Sequence, residues 1–268
     1  MIETYVEKIR QQNPWFFENK KYSMVISNDL DSLATAALLQ EYKGWKVSGF
    51  YDFDGLYLSD DITNELVGID IAIDNGLNID GVIFEKAIDN HVCLISKKDS
   101  FNPNVININL IDRITNDGSY YNKYCGSTVL QIWSLLDKPL PRNKTGQAIL
   151  LAIDGAFHGY FPTRRLDFRE RHKYYVSDVL GFNELVEFEE KYTKQDFEKV
   201  ERVYKTDGRV QLEDGYLNTK ELKFNESFRL LELKSLQIKN KFSLVRRFKP
   251  ERSEITKKIR LEKQEMKY

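Results

Sequence analysis

Between residues 22 and 160, short apolar runs alternate with segments of helical periodicity, and the runs repeatedly end in an acid. "YSMVIS" (22–27) reads as a strand and "SLATAALLQEYKG" (32–44) as a helix stopped by Gly44. "KVSGFYDF" is a second strand, "GIDIAID" (68–74) a third, and "GVIFE" (81–85) a short fourth or a helical turn. "HVCLIS" (91–96) is a further strand, with helices over "GSTVLQIWSLLD" (126–137) and "TGQAILLAIDGAF" (145–157). Alternation of this kind predicts an α/β domain with a parallel sheet and helices on both faces. In such sheets ligands gather at the carboxyl ends of the strands.

Those ends carry acids. Asp29 and Asp31 follow the first strand, Asp74 ends the third, Asp89 and His91 lie in "IDNH", and Asp154 follows an apolar helix in "LLAIDGAF". Each alone reads most simply as a turn or a helix cap, and His91 alone as a hydrogen-bonded core histidine. Together they form a set of carboxylates that would repel one another without a cation.

Bulk properties frame that reading. The 268 residues are 41% hydrophobic, enough for one large domain or a domain with an appendage. The net charge of -1 hides an asymmetry, with residues 1–164 at -6 and residues 165–268 at +5. The first part suits a cationic cofactor and the second an anionic partner. Two cysteines, Cys93 and Cys125, are too few for a disulfide framework, which points to a reduced, cytoplasmic setting. The first twenty residues lack the apolar core of a signal peptide, and no run is long enough to span a membrane.

In order and spacing, four motifs in residues 22–160 resemble the DHH phosphoesterases, a family of RecJ-like exonucleases, oligoribonucleases, cyclic-dinucleotide phosphodiesterases and family II pyrophosphatases. "SNDLDSLATAALL" resembles the first motif, with Asp29 and Asp31 as its D-x-D pair. "AIDNG" resembles the second and would put Asp74 at the metal-bridging position, "IDNH" resembles the DHH signature, and "AILLAIDGAF" the fourth motif with Asp154. The resemblance implies a site for two Mn²⁺ or Mg²⁺ ions held by Asp29, Asp31, Asp74, Asp154 and Asn90. It gives catalytic roles to Asp89 and His91, with His91 on the substrate phosphate. The chain departs from the family where Asn90 replaces the middle histidine of DHH, where Ser27 replaces a histidine before D-x-D and where Ser32 replaces a glycine after it. The family's glycine-rich C-terminal loop has no counterpart in 165–268. An amide oxygen still suits a hard cation but brings no basic nitrogen.

"GFYDFDGLYL" (49–58) imitates the nucleophile motif of HAD phosphatases with Asp52 and Asp54, but Leu56 stands where that family has Thr or Val, so a strand and its turn is the better reading. The chain thus divides at 164/165 into a phosphoesterase-like domain (1–164) and a mostly helical, basic module (165–268). In the latter, 182–208 spaces Phe182, Leu185, Phe188, Tyr192 and Phe197 helically. Segment 234–249 carries six Lys or Arg and no acid, interleaved with Phe242 and Phe248, a pattern suited to single-stranded nucleic acid, with Arg246 and Arg247 on the substrate. The tail 251–268 alternates charges. The expected function is metal-dependent phosphodiester hydrolysis of a nucleotide or short nucleic acid, with no membrane association and a homodimer as one permitted assembly. The alternative is a degenerate, non-catalytic relative that binds a nucleotide or a protein partner.

Overall fold

The computed structural model describes residues 1–60, 62, 64–73, 77–79, 82–162, 166–220 and 222–247. The tail 251–268, Phe248 and Asp74 lie outside the described residues.

The predicted α/β architecture is present. Strands β1 (Ser23–Ile26), β2 (Lys46–Tyr51), β4 (Leu66–Ile69), β6 (Val82–Ile88) and β7 (Val105–Ile106) pair in parallel in the order β2-β1-β4-β6-β7. Antiparallel strands extend the edges. β3 (Gly55–Leu58) pairs with β2 and β10 (Ser243–Arg247) with β3, while β5 (Leu77–Ile79) pairs with β6. Helices α1 (Glu3–Gln12), α2 (Leu30–Lys43), α3 (Ile108–Ile111), α4 (Thr128–Leu135) and α5 (Lys144–Ala152) accompany this half.

The order places β1 where the chain's path reverses: it leaves through α2 to β2 on one side, and β4 adds on the other. A crevice opens at such a switch point. β1 is buried throughout, so "SMVI" is a central strand. Helix α2 starts because the Asp29 side chain accepts from the Ser32 N–H, and it ends at Gly44, whose φ of 67° closes the last turn in left-handed backbone. Residues 30–39 are nearly all buried, because the Ala-rich helix lies between the sheet and α4.

The structure corrects several sequence expectations. The third strand stops at Ile69, five residues before the expected end, and the chain turns away at Asp70 with φ of 58°. The fourth is a full seven-residue strand that runs directly into "DNH". "HVCLIS" is no strand, holding only a single bridge from Leu94 to Thr115. The expected helix over 182–208 is two helices, α8 (Asn183–Lys191) and α9 (Lys194–Tyr204). Thr193 and Asp196 form a reciprocal capping box that starts the second.

Beside them lie α6 (Phe157–Tyr160), α7 (Leu166–Lys173), α10 (Phe224–Leu230) and the hairpin β8 (Gln211–Glu213)–β9 (Tyr216–Asn218). Leu185, Phe188, Phe197, Phe228 and Leu231 pack into the same apolar core as Leu33, Trp45, Trp133 and Ile149. Among the described residues no helix is long and apolar enough to cross a membrane, and Cys93 and Cys125 form no disulfide.

Candidate functional site

Asp29 follows β1, Asp70 follows β4, Asp89 and His91 follow β6, and Asp154 sits in the break after α5, so acids from four places meet at the carboxyl ends of the sheet. The two strand-end turns are joined directly: Ser27 Oγ donates to Asp70 Oδ2 at 3.1 Å and lies 3.3 Å from Asp29 Oδ1. Thr128, at the start of α4, donates its hydroxyl to Asp70 Oδ1 at 2.9 Å. Asp70 is 6% exposed, and its burial, with the nearby charge of Asp29, pushes its carboxyl well above the ordinary range.

Asp31 points back into the protein. Its oxygens accept the backbone N–H groups of Thr128 and Val129 at 2.8 and 2.7 Å, an anion at a helix N-terminus. Burial, followed by Asp70, Asp154 and Asp29, raises its carboxyl strongly. Both oxygens of Asp29 are engaged too, one by Ser32 N–H and the other by the Arg209 guanidinium. Arg209 is brought there by backbone pairing: Val210 N–H donates to Asn28 O at 2.8 Å.

Asp89 is fully buried and holds His91, with 2.7 Å from Oδ1 to Nδ1, while Oδ2 accepts from His91 N–H and Asn107 Nδ2 at 3.1 Å each. The Asp89 carboxylate beside it raises the imidazole to about 11, against the effect of burial. Its side chain is 55% exposed, so the ring is the accessible edge of a buried acid cluster. His91 Nδ1 also lies 3.9 Å from Asp70 Oδ1.

Asp70, Asp89 and His91 each offer a ligand atom within 4.8 Å of the others, a set that could hold a metal ion. Donors so placed could hold a cation with bonds of roughly 2.1–2.6 Å. Asn90 supplies a further argument. Its Nδ2 donates to Gly126 O at 2.7 Å and to Asp154 Oδ2 at 2.9 Å, which fixes the amide's orientation. Its Oδ1 is buried and accepts no hydrogen bond from the described residues. A buried acceptor left bare is costly unless something fills it, and a hard cation would. The donors are carboxylate and amide oxygens with one imidazole, so they fit Mn²⁺ or Mg²⁺ better than a softer metal.

The structure therefore brings together Asp29, Asp89, Asn90, His91 and Asp154 as the sequence suggested, and ties Asp31 to α4 behind them. The acid that follows β4 is Asp70, which the resemblance does not single out; Asp74, which it does, lies outside the described residues. "VGIDIAID" offers two acids four residues apart, and the D-x-G pattern favoured the second. Strand length was the signal for the first: Asp70 follows a four-residue apolar strand, as Ser27 follows "SMVI". No signal announced Arg209, 180 positions from its partner.

Arg246 and Arg247 lie on β10, paired opposite Leu56 and Gly55. β10 runs parallel to β2, so Arg247 is at the same end of the sheet as the acids. It is three strands from β1, about 14 Å away across the sheet, and the structure places neither arginine among them. Comparison with protein-family models, with curated proteins and with solved structures gave no match.

Proposed function

We propose that this chain is a metal-dependent phosphoesterase that hydrolyses phosphodiester bonds of a nucleotide or single-stranded nucleic acid, with Asp70, Asp89 and His91 at its centre. The observation that carries the reading is the meeting of buried acids at the switch point of a parallel sheet, with one exposed imidazole and one bare amide oxygen among them. Three of the four motifs that resemble the DHH family, those with Asp29, with Asp89 and His91, and with Asp154, end at this same place. Asp70 and Asp89 would hold the ion, joined by Asn90 Oδ1, with Asp29 and Asp154 at the flanks. Bound there, Mn²⁺ or Mg²⁺ would supply Lewis acidity and a nucleophilic water at neutral pH.

The chain's own groups have separable tasks. Asp89 fixes the direction of the His91 ring, leaving Nε2 to face a phosphoryl oxygen or a leaving group. Ser27, Thr128 and the N-terminus of α4 hold Asp70 and Asp31 in place. Arg209 neutralises Asp29 and presents a guanidinium at the mouth of the site, where its planar fork suits a phosphate.

A second reading has its own observation. All four oxygens of the Asp29/Asp31 pair already have protein partners, as they would in a protein that binds a nucleotide without cleaving it. Titration with Mn²⁺ against bis(p-nitrophenyl) phosphate, dinucleotides, single-stranded DNA and single-stranded RNA separates the two. Metal-dependent hydrolysis of any of these supports the enzyme; binding without turnover supports the second reading.

A further inference from the structure

The loop that forms one wall of the acid site continues outward into an aromatic turn. Gly126 O receives the Asn90 amide, and Tyr124 is pinned through its N–H and C=O to the Asn109 side chain, which in turn donates to Asn90 O. Four residues before Tyr124, a single 3-10 turn (Tyr120–Asn122) holds two consecutive tyrosines at the surface. Tyr120 is 37% exposed and Tyr121 51%. Exposed turns ordinarily carry Asp, Asn, Ser or Gly, and the residues just before this one do, in "TNDGS".

The rings are ordered. They meet edge to face with centroids 5.8 Å apart, and Tyr121 packs its edge on Phe168 of α7 at 6.3 Å. A cation accompanies them: Lys123 Nζ lies 4.7 Å from the Tyr120 ring centre. Lys123 is also within electrostatic reach of Asp154 and Cys125. The rim beside Asp154 is therefore aromatic and basic, while the floor beside it is acidic. Pre-ordered rings with a lysine between them and a phosphodiester site are what an unpaired strand needs: π-faces for bases and a cation for the flanking phosphate.

We propose that Tyr120 and Tyr121 form a base-stacking platform for single-stranded nucleic acid, with Lys123 on the phosphate that leads from the stacked bases toward the acid site. The inference rests on the phosphodiesterase reading for its direction, and it names the substrate class that reading left open. It also locates the strand on the Asp154 side of the sheet, opposite the β10 edge that carries Arg246 and Arg247.

The test uses the full chain and a fluorescein-labelled 12-mer of thymidylate, with an all-abasic 12-mer as its base-free control. Binding is followed by anisotropy, once with Ca²⁺ and once with EDTA. Wild type should bind the thymidylate strand more tightly than the abasic one. Tyr121→Ala should weaken thymidylate binding by about tenfold and Tyr120→Ala by a comparable factor, with the abasic strand unaffected. Tyr121→Phe keeps the π-face and should restore binding, which guards against a folding defect. Lys123→Gln should reduce the slope of log affinity against log salt by about 0.7. Equal binding of thymidylate and abasic strands, or Ala variants that bind like wild type, would overturn the platform. Mn²⁺-dependent hydrolysis of bis(p-nitrophenyl) phosphate reads the acid site without a base. Hydrolysis with tyrosine-independent strand binding would sink the platform alone, whereas tyrosine-dependent binding without hydrolysis would support it and sink the catalytic reading.

Discussion

The molecule contains two histidines bonded to buried carboxylates, and they could hardly differ more in their surroundings. His91 bonds to Asp89 at the carboxyl ends of the sheet, with its side chain 55% exposed and Asp70, Asp154 and Asp29 close by. His172 of α7 places Nε2 3.1 Å from both oxygens of Glu189 of α8, and the two side chains are 1% and 0% exposed. Gly159 permits that burial, since a Cβ there would come within 2.4 Å of His172 Nδ1. In the helical pair one imidazole meets one carboxylate, with Arg169 and Lys173 near enough to help balance it. At the sheet, five acids exceed what one imidazole, one guanidinium and the nearby Lys123 can answer. A histidine–carboxylate contact is thus no mark of a site by itself; surplus acid and an accessible ring edge are.

Asp70→Asn attacks the surplus directly and should have the largest effect. The amide keeps the shape but loses the charge, so Mn²⁺-dependent hydrolysis should fall at least about 100-fold, and Mn²⁺ binding by calorimetry should weaken in step. The metal-free protein should melt no lower, and higher if relief of repulsion dominates. Retained activity would move the centre away from β4.

Glu189→Ala is the matching cut in the helical pair. Leaving a buried imidazole without its partner should cost about 3–5 kcal/mol, seen as a lower denaturation midpoint, with unchanged turnover per folded molecule. A loss of turnover in excess of the folded fraction would mean that the two regions are coupled.

Asn90→His sharpens the contrast at the site itself. An imidazole donates a better lone pair than the amide oxygen, so half-maximal activity should need roughly tenfold less Mn²⁺. The opposing risk is structural, since the Asn90 amide also holds Gly126 O and Asp154. A raised Mn²⁺ requirement would make Asn90 a positioning residue for Asp154.

The smallest effect is on pH dependence. Burial holds Asp31, Asp70 and Glu189 above their ordinary values of 3.8, 3.8 and 4.5. Each binds its proton more tightly folded than unfolded, so its contribution to stability falls as pH rises above about 4. His91, raised from 6.5 to about 11 by Asp89, contributes fully below 6.5 and loses that contribution as pH climbs toward 11. All four act in one direction, and the metal-free protein should melt progressively lower from pH 5 to pH 9, by at most about 1.4 kcal/mol per pH unit and group. Saturating Mn²⁺ should flatten the part due to Asp70 and His91 and leave the part due to Glu189. A slope that Mn²⁺ does not change would break the distinction between the two regions.

Much of this was legible in the chain. Apolar runs ending in acids determined an α/β fold, because a parallel sheet buried on both faces demands such runs and its strand ends demand turns. Asp29, Asp89, His91 and Asp154 were identifiable on that ground, since each closes an element whose period is readable locally. Only the tertiary structure decided which acid follows β4. Strand length in the sequence only hints at Asp70, because where β4 stops pairing with β1 and β6 is a long-range matter. The same holds for the turn of Asp31 toward α4 and the arrival of Arg209 at Asp29. Local sequence sets periodicity, caps and turns; the partners that acids find 97 or 180 positions away are set by how the packed elements bring distant backbone together.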